Sequence, residues 1–156
     1  MGAFMLTTQF GTALTAEIAN MQITEQLDAL KTMKISPIYY LSLPALISGV
    51  LLAPLVFWLA VLAGTFSTYL TINVIDYLAW SSYATSIVDD FELKDALICM
   101  VKSVIFTIEI VTIAVTIGLN IEEDSAKAVG EAATKTVISC FIIVILTDLL
   151  VTMAYL

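Results

Sequence analysis

The chain predicts an all-α integral membrane protein, a polytopic helical bundle, and three observations carry that reading. Of its 156 residues 60% are hydrophobic and 13% charged, with a mean hydropathy of +1.01; soluble domains carry roughly 25% charged residues. Three runs, residues 41–72, 96–119 and 132–156, each supply the ~20 mostly apolar residues that cross a bilayer. One stretch, residues 21–37, is instead polar and charged, with the pattern of a short amphipathic helix.

Composition also excludes function classes. The net charge is -8, and all six basic residues are lysines, so nucleic acid is not an expected partner. Histidine is absent, which removes the commonest general base and metal ligand, and no metal or cofactor is expected. Cys99 and Cys140 each sit inside an apolar run, where cysteine serves as a small buried apolar residue. No P-loop pattern occurs, so any ATP must be bound and cleaved by a partner subunit. No serine or cysteine is paired with an evident base, which argues against an intramembrane enzyme. The start lacks a basic n-region, so no cleavable signal is expected.

Taken in order, residues 2–20 form a weaker, partial membrane helix. Gly11, Thr15 and Ala19 recur every four residues, a spacing that lets another helix approach closely. So polar a helix belongs inside a bundle, or at the tail end of a longer helix. Residues 21–37 follow as one helix: Thr24 can cap it, and Glu25, Gln26 and Asp28 occupy its first turn. Lys31 and Lys34 fall in its last, and Ser36-Pro37 stops it. Ile23, Leu27, Leu30 and Lys34 share one line with Met33 beside it, a narrow apolar stripe. Such a helix either docks onto a soluble protein or lies on the membrane surface. Its acidic first turn disfavours an anionic leaflet and leans toward the protein.

The run 41–72 is overlong for one crossing, so a tilt, a bend near Pro54 or a short extra helix is expected. Lysine placement then orients the chain. Lys31, Lys34, Lys127 and Lys135 flank or fill residues 21–37 and 120–131, and the acidic connector 73–95 holds only Lys94. Positive-inside counting puts the first two segments in the cytoplasm and the connector and C-terminus outside. Ala126, Gly130 and Thr134 again recur every four residues, fitting either intrachain packing or a homodimer seam.

At residues 10–44 the sequence FGTALTAEIANMQITEQLDALKTMKISPIYYLSLP resembles the signature of the MlaE (YrbE-type) ABC permease family, roughly GAAxAAELGxMxVxEQxDALxxMGxDPxxYLxxPR. Weaker matches follow in family order: Lys102-Ser103-Val104-Ile105-Phe106 (KSxxF), residues 128–137 (GVGxATTRAV) and Thr147-Asp148. The resemblance implies a single permease-type domain over residues 1–156, in the cell inner membrane or a plastid inner envelope. It implies a permease homodimer that moves phospholipid or related lipid between inner and outer membranes. The implied partners are a cytoplasmic ABC ATPase, a periplasmic MCE-domain lipid-binding protein and a small STAS-type subunit. Met21, Glu25, Gln26, Leu27, Asp28 and Leu30 would belong to the helix that seats in the ATPase. Family members carry further residues ahead of the point where this chain begins. It therefore reads as the C-terminal part of such a permease, N-terminally truncated, and a membrane anchor or assembly module is the alternative. Gln9, Ala45 and Lys135 stand where the family has arginine.

Glu17, Lys102, Glu109 and Asp148 fall within or beside apolar spans. A charge at the bilayer centre costs about 2.5–3.5 kcal/mol on insertion scales, so such groups pair or face a cavity. Glu17, Lys102 and Asp148 match charged family positions, whereas Glu109 adds a charge. Two readings stand for these four: buried pairs that hold the bundle, or a lining of the lipid path.

Overall fold

The computed structural model describes residues 2–76, 83, 85, 93–121 and 125–155, and every regular element within them is helical. The elements are α1 (Gly2–Leu6), a π turn (Thr7–Gly11), α2 (Thr12–Ile23), α3 (Gln26–Thr32), α4 (Pro37–Asp76), α5 (Leu93–Leu119) and α6 (Ala126–Tyr155). Three stretches are long and apolar enough to cross a membrane: Pro37–Ile72, Lys94–Leu119 and Ala126–Ala154. These are the three spans expected from the apolar runs. Most of the connector 73–95, and residues 122–124 of the segment 120–131, lie outside the described residues.

α1, the π turn and α2 form one continuous rod, since Leu6, Gly11 and Thr12 all keep right-handed helical angles. Its threonines suit an apolar setting because their hydroxyls return to their own helix. Thr7 donates to the Ala3 carbonyl at 2.9 Å and Thr15 to the Gly11 carbonyl at 2.9 Å. Gly11, Thr15 and Ala19 are all buried, as expected of a rod inside a bundle. Thr15 and Thr136 also share a hydrogen bond of 2.9 Å, which ties α2 to α6.

α5 is the central helix and packs on α2, α4 and α6. Gly49 of α4 lies so close to it that an added Cβ would stand 2.6 Å from Thr107 Cγ2. At Gly118 an added Cβ would stand 2.9 Å from Ile18 of α2. One core cluster joins Ala3, Phe106, Ile110, Cys140 and Val144, and the other joins Ile18, Val111 and Val115.

These contacts define two poles. Ile18, Gly118, Leu41 and Leu119 meet toward the α3 end; Ala3, Phe57, Cys99 and Thr152 meet at the far end. From Cys99 to Gly118 α5 rises ~28 Å at 1.5 Å per residue, close to the ~30 Å hydrocarbon thickness. α4 outruns this frame. It continues as one helix through Pro44 and Pro54, and its residues 54–61 already face the start of α5 around Asp95 to Met100. The remainder extends beyond, where Tyr83 packs on Tyr69 (centroids 5.7 Å apart) and donates to the Thr65 carbonyl at 2.9 Å.

The expected single helix over residues 21–37 is divided. Met21 and Ile23 end α2, the chain turns at Thr24-Glu25, and α3 has only seven residues. Thr24 does not cap α3; its hydroxyl bonds back to the Asn20 carbonyl of α2 at 2.8 Å. Glu25 takes the N-cap position in a left-handed conformation, φ 58°. At the other end Lys34 is also left-handed, φ 59°. Its N–H reaches the Lys31 carbonyl at 3.0 Å and the Ile35 N–H reaches the Leu30 carbonyl at 3.1 Å. That pairing is a Schellman closure. Pro37 then opens α4, its fixed φ and missing N–H suiting the first helical turn.

Candidate functional site

At the α3 pole the seven-residue helix is pinned by one side chain. Leu27 is buried to 1% exposure, and α3 packs on α2 and α4. Leu27 was expected on an apolar stripe; with the helix broken at Glu25 it is buried within the chain instead. Leu30 is half-buried. Glu25, Gln26, Asp28, Ala29, Lys31 and Met33 face outward, Met33 at 68% exposure. Asp28 and Lys31 pair at 2.7 Å on this surface, a contact worth little in water. What α3 offers a partner is therefore mostly polar, with Met33 as its apolar corner.

The same pole carries the start of α6. Glu17, Asn20 and Ile23 of α2 line a groove with Ala126 and Val129. Residues 21–37 and the described ends of 120–131 thus share one side of the bundle, a relation independent of lysine counting. Glu17 is exposed here and stands apart from the other three membrane charges.

The far pole holds Lys102 and Asp148. Lys102 Nζ lies 2.8 Å from Asp148 Oδ1 and donates to Thr152 Oγ1 at 2.8 Å. The lysine side chain is 17% exposed and the aspartate 54%. Both line a cleft whose walls are Phe4, Phe57, Phe106 and Leu149, with Cys99 at its edge. A second, mainly apolar recess between Pro54, Trp58 and Met100, with Asp95 also in its lining, shares Phe57 and Cys99 with it. The combination is amphiphilic: a hydrocarbon-lined hollow with one cation, one anion and one hydroxyl at its polar corner.

Glu109 sits midway along α5 and does not reach Lys102. Its Oε1 accepts from Thr147 Oγ1 at 2.6 Å, and its Oε2 is buried with no hydrogen-bond partner among the described residues. The four membrane charges therefore form three separate arrangements rather than one cluster. Thr152 was missed by sequence reasoning, though it lies one turn beyond Asp148 on the same face. Lys34 was missed as a strained joint; its signal was the glycine that the family signature has at that position.

Ala126, Gly130 and Thr134 are all exposed, and a Cβ at Gly130 would meet nothing within 4 Å. Ala126 borders the α2 groove, and Gly130 and Thr134 continue the stripe onto open surface. Lys127 and Glu131 pair beside it at 3.3 Å. No group of three or more His, Cys, Asp or Glu able to hold a metal occurs among the described residues.

Comparison with known proteins agrees with this architecture. The family described as Permease MlaE matches residues 1–154. A probable ABC transporter permease protein of Pyropia yezoensis is 32% identical over 146 residues, 94% of this chain and 55% of that protein. Its counterpart in Rickettsia conorii is 30% identical over 153 residues, 97% of this chain and 58% of that protein. A third, from Synechocystis, is 29% identical over 146 residues. The chain spans about half the length of the curated relatives it matches. With three apolar membrane-length helices and a family match over nearly its whole length, this multi-pass chain belongs to the MlaE permease family.

Proposed function

We propose that the chain is the membrane subunit of an ABC transporter moving phospholipid or a related lipid between inner and outer membranes. The observation that carries the lipid assignment is the far-pole cleft, where aromatic and aliphatic walls surround the Lys102–Asp148–Thr152 corner. A lipid has this division of chemistry: acyl chains for the walls, and a charged, hydrogen-bonding head group for the corner. Lysine counting supports placing the α3 pole in the cytoplasm, where the exposed face of α3 would receive a separate ATPase. The far pole then opens toward a periplasmic MCE-domain lipid carrier, with a STAS-type subunit as a further component. In this reading ATP closure of the ATPase pair pushes α3. The push passes through Leu27 into α2 and α4, and a permease dimer alternately opens and narrows its lipid cavity.

The exposed stripe at Ala126, Gly130 and Thr134 is where a second copy could approach closely. The inner membrane, or a plastid inner envelope, is the corresponding location. The test is ATP hydrolysis by the assembled complex in nanodiscs of increasing phospholipid content. Stimulation by lipid is the expected result. A bound ATPase indifferent to lipid would overturn transport and favour an anchoring or assembly module.

A further inference from the structure

Glu109 is the membrane charge that no pairing in the bundle uses fully. Its Oε1 is held by Thr147 at 2.6 Å, and its Oε2 is buried without a partner among the described residues. A buried carboxylate oxygen left unpaired is costly, the more so in hydrocarbon. A cation lies on the same helix. Lys102 precedes Glu109 by two turns, ~10.5 Å along the axis. Glu109 leans toward Lys102 and Lys102 leans the other way, so they meet when the long lysine side chain folds back along α5.

α6 holds both groups. Thr147 holds the Glu109 carboxylate and the next residue, Asp148, holds the Lys102 ammonium at 2.8 Å. The two charged groups are thus tethered to consecutive residues of α6, whose side chains leave the helix about 100° apart. Asp148 is the more exposed end of this arrangement, at 54%, and Lys102 the less, at 17%.

We infer that Glu109 is a second acceptor for Lys102, so that the ammonium has two seats: Asp148 at the far pole and the vacant Glu109 oxygen toward the bundle centre. In the outer seat Lys102 ties α5 to α6 and to Thr152. In the inner seat it pairs along α5 alone and frees Asp148 and Thr152 on α6. The swing moves a charge without creating one. It couples the state of the α5–α6 contact to whatever occupies the cleft that Lys102 and Asp148 line.

The test is a double-mutant cycle on the full chain purified in detergent, read as melting temperature. Asp148→Asn alone should be tolerated, because Lys102 moves to Glu109; Glu109→Gln alone should be tolerated, because Lys102 stays on Asp148. The double variant leaves the ammonium without a carboxylate. It should lose about 4 °C or more beyond the sum of the single shifts. In a Lys102→Met background the same two changes should be additive. If the double variant fails to fold, the triple variant with Lys102→Met should restore folding. Additive shifts with Lys102 present, or a triple variant that still fails to fold, would overturn the proposal.

Discussion

Lys102 of α5 bridges to α6 at two points one turn apart, Asp148 Oδ1 and Thr152 Oγ1, each at 2.8 Å. The contact closes the polar corner of the far-pole cleft. Lys102→Met keeps length and apolar volume while deleting the charge. It is expected to leave assembly intact, because the Asp148 left unpaired lies at the exposed surface and not in the packed core. Lipid transfer by the assembled complex in liposomes should fall about tenfold or more. Lost assembly would instead make the pair a structural tie, and unchanged transfer would remove Lys102 from the lipid path.

Leu27 and Met33 separate folding from docking on α3. Leu27 is buried within the chain, so Leu27→Ala should cost about 2–5 kcal/mol, seen as a lower melting temperature of the isolated subunit. Met33 projects outward, so Met33→Asp should leave melting unchanged and weaken ATPase retention in a detergent pull-down. Retention of the ATPase by Met33→Asp would move the docking surface off this face.

Lys34 adopts φ 59° at the joint between α3 and α4. A left-handed conformation costs a non-glycine residue about 1–2 kcal/mol. Lys34→Gly relieves that strain but adds freedom to the unfolded chain, for a net gain of about 1 kcal/mol. Slower hydrogen exchange at the Ile35 amide, which closes onto the Leu30 carbonyl, is the measurement. Exchange as fast as in the parent would show that the joint is not strained.

Orientation is checked with single cysteines at Ser125 and Thr71, in a background without Cys99 and Cys140. Thr71 lies in the far-pole extension of α4 and is exposed; Ser125 lies at the α3 pole, just ahead of α6. An impermeant maleimide applied to intact cells should label position 71 and spare 125. The reverse pattern would place α3 outside the cytoplasm.

The spans were legible because burial in lipid needs only a run of apolar residues, and residues 41–72, 96–119 and 132–156 declare it directly. Gly11, Thr15 and Ala19 were legible for a related reason: small residues at helical spacing pack closely, and all three are buried. Residues 21–37 misled because helix capping and charge placement are local signals. They specify a helix but not a break inside it, and the left-handed Glu25 carries no sequence mark. Leu27 is buried beyond that unseen break. The membrane charges could be found but not paired from sequence. Which acid meets Lys102 depends on the antiparallel register of α5 and α6, and that register is set by packing.

The most direct test of the central claim uses Cys99, an exposed thiol at the edge of both far-pole hollows. The complex, with Cys140→Ala, is modified at Cys99 by a bulky maleimide and reconstituted in liposomes, and ATP-driven lipid transfer is measured against the unmodified complex. Transfer should drop to background while the ATPase stays bound, because the plug fills the cleft and leaves α3 untouched. Undiminished transfer with Cys99 fully modified would contradict a lipid path through this cleft.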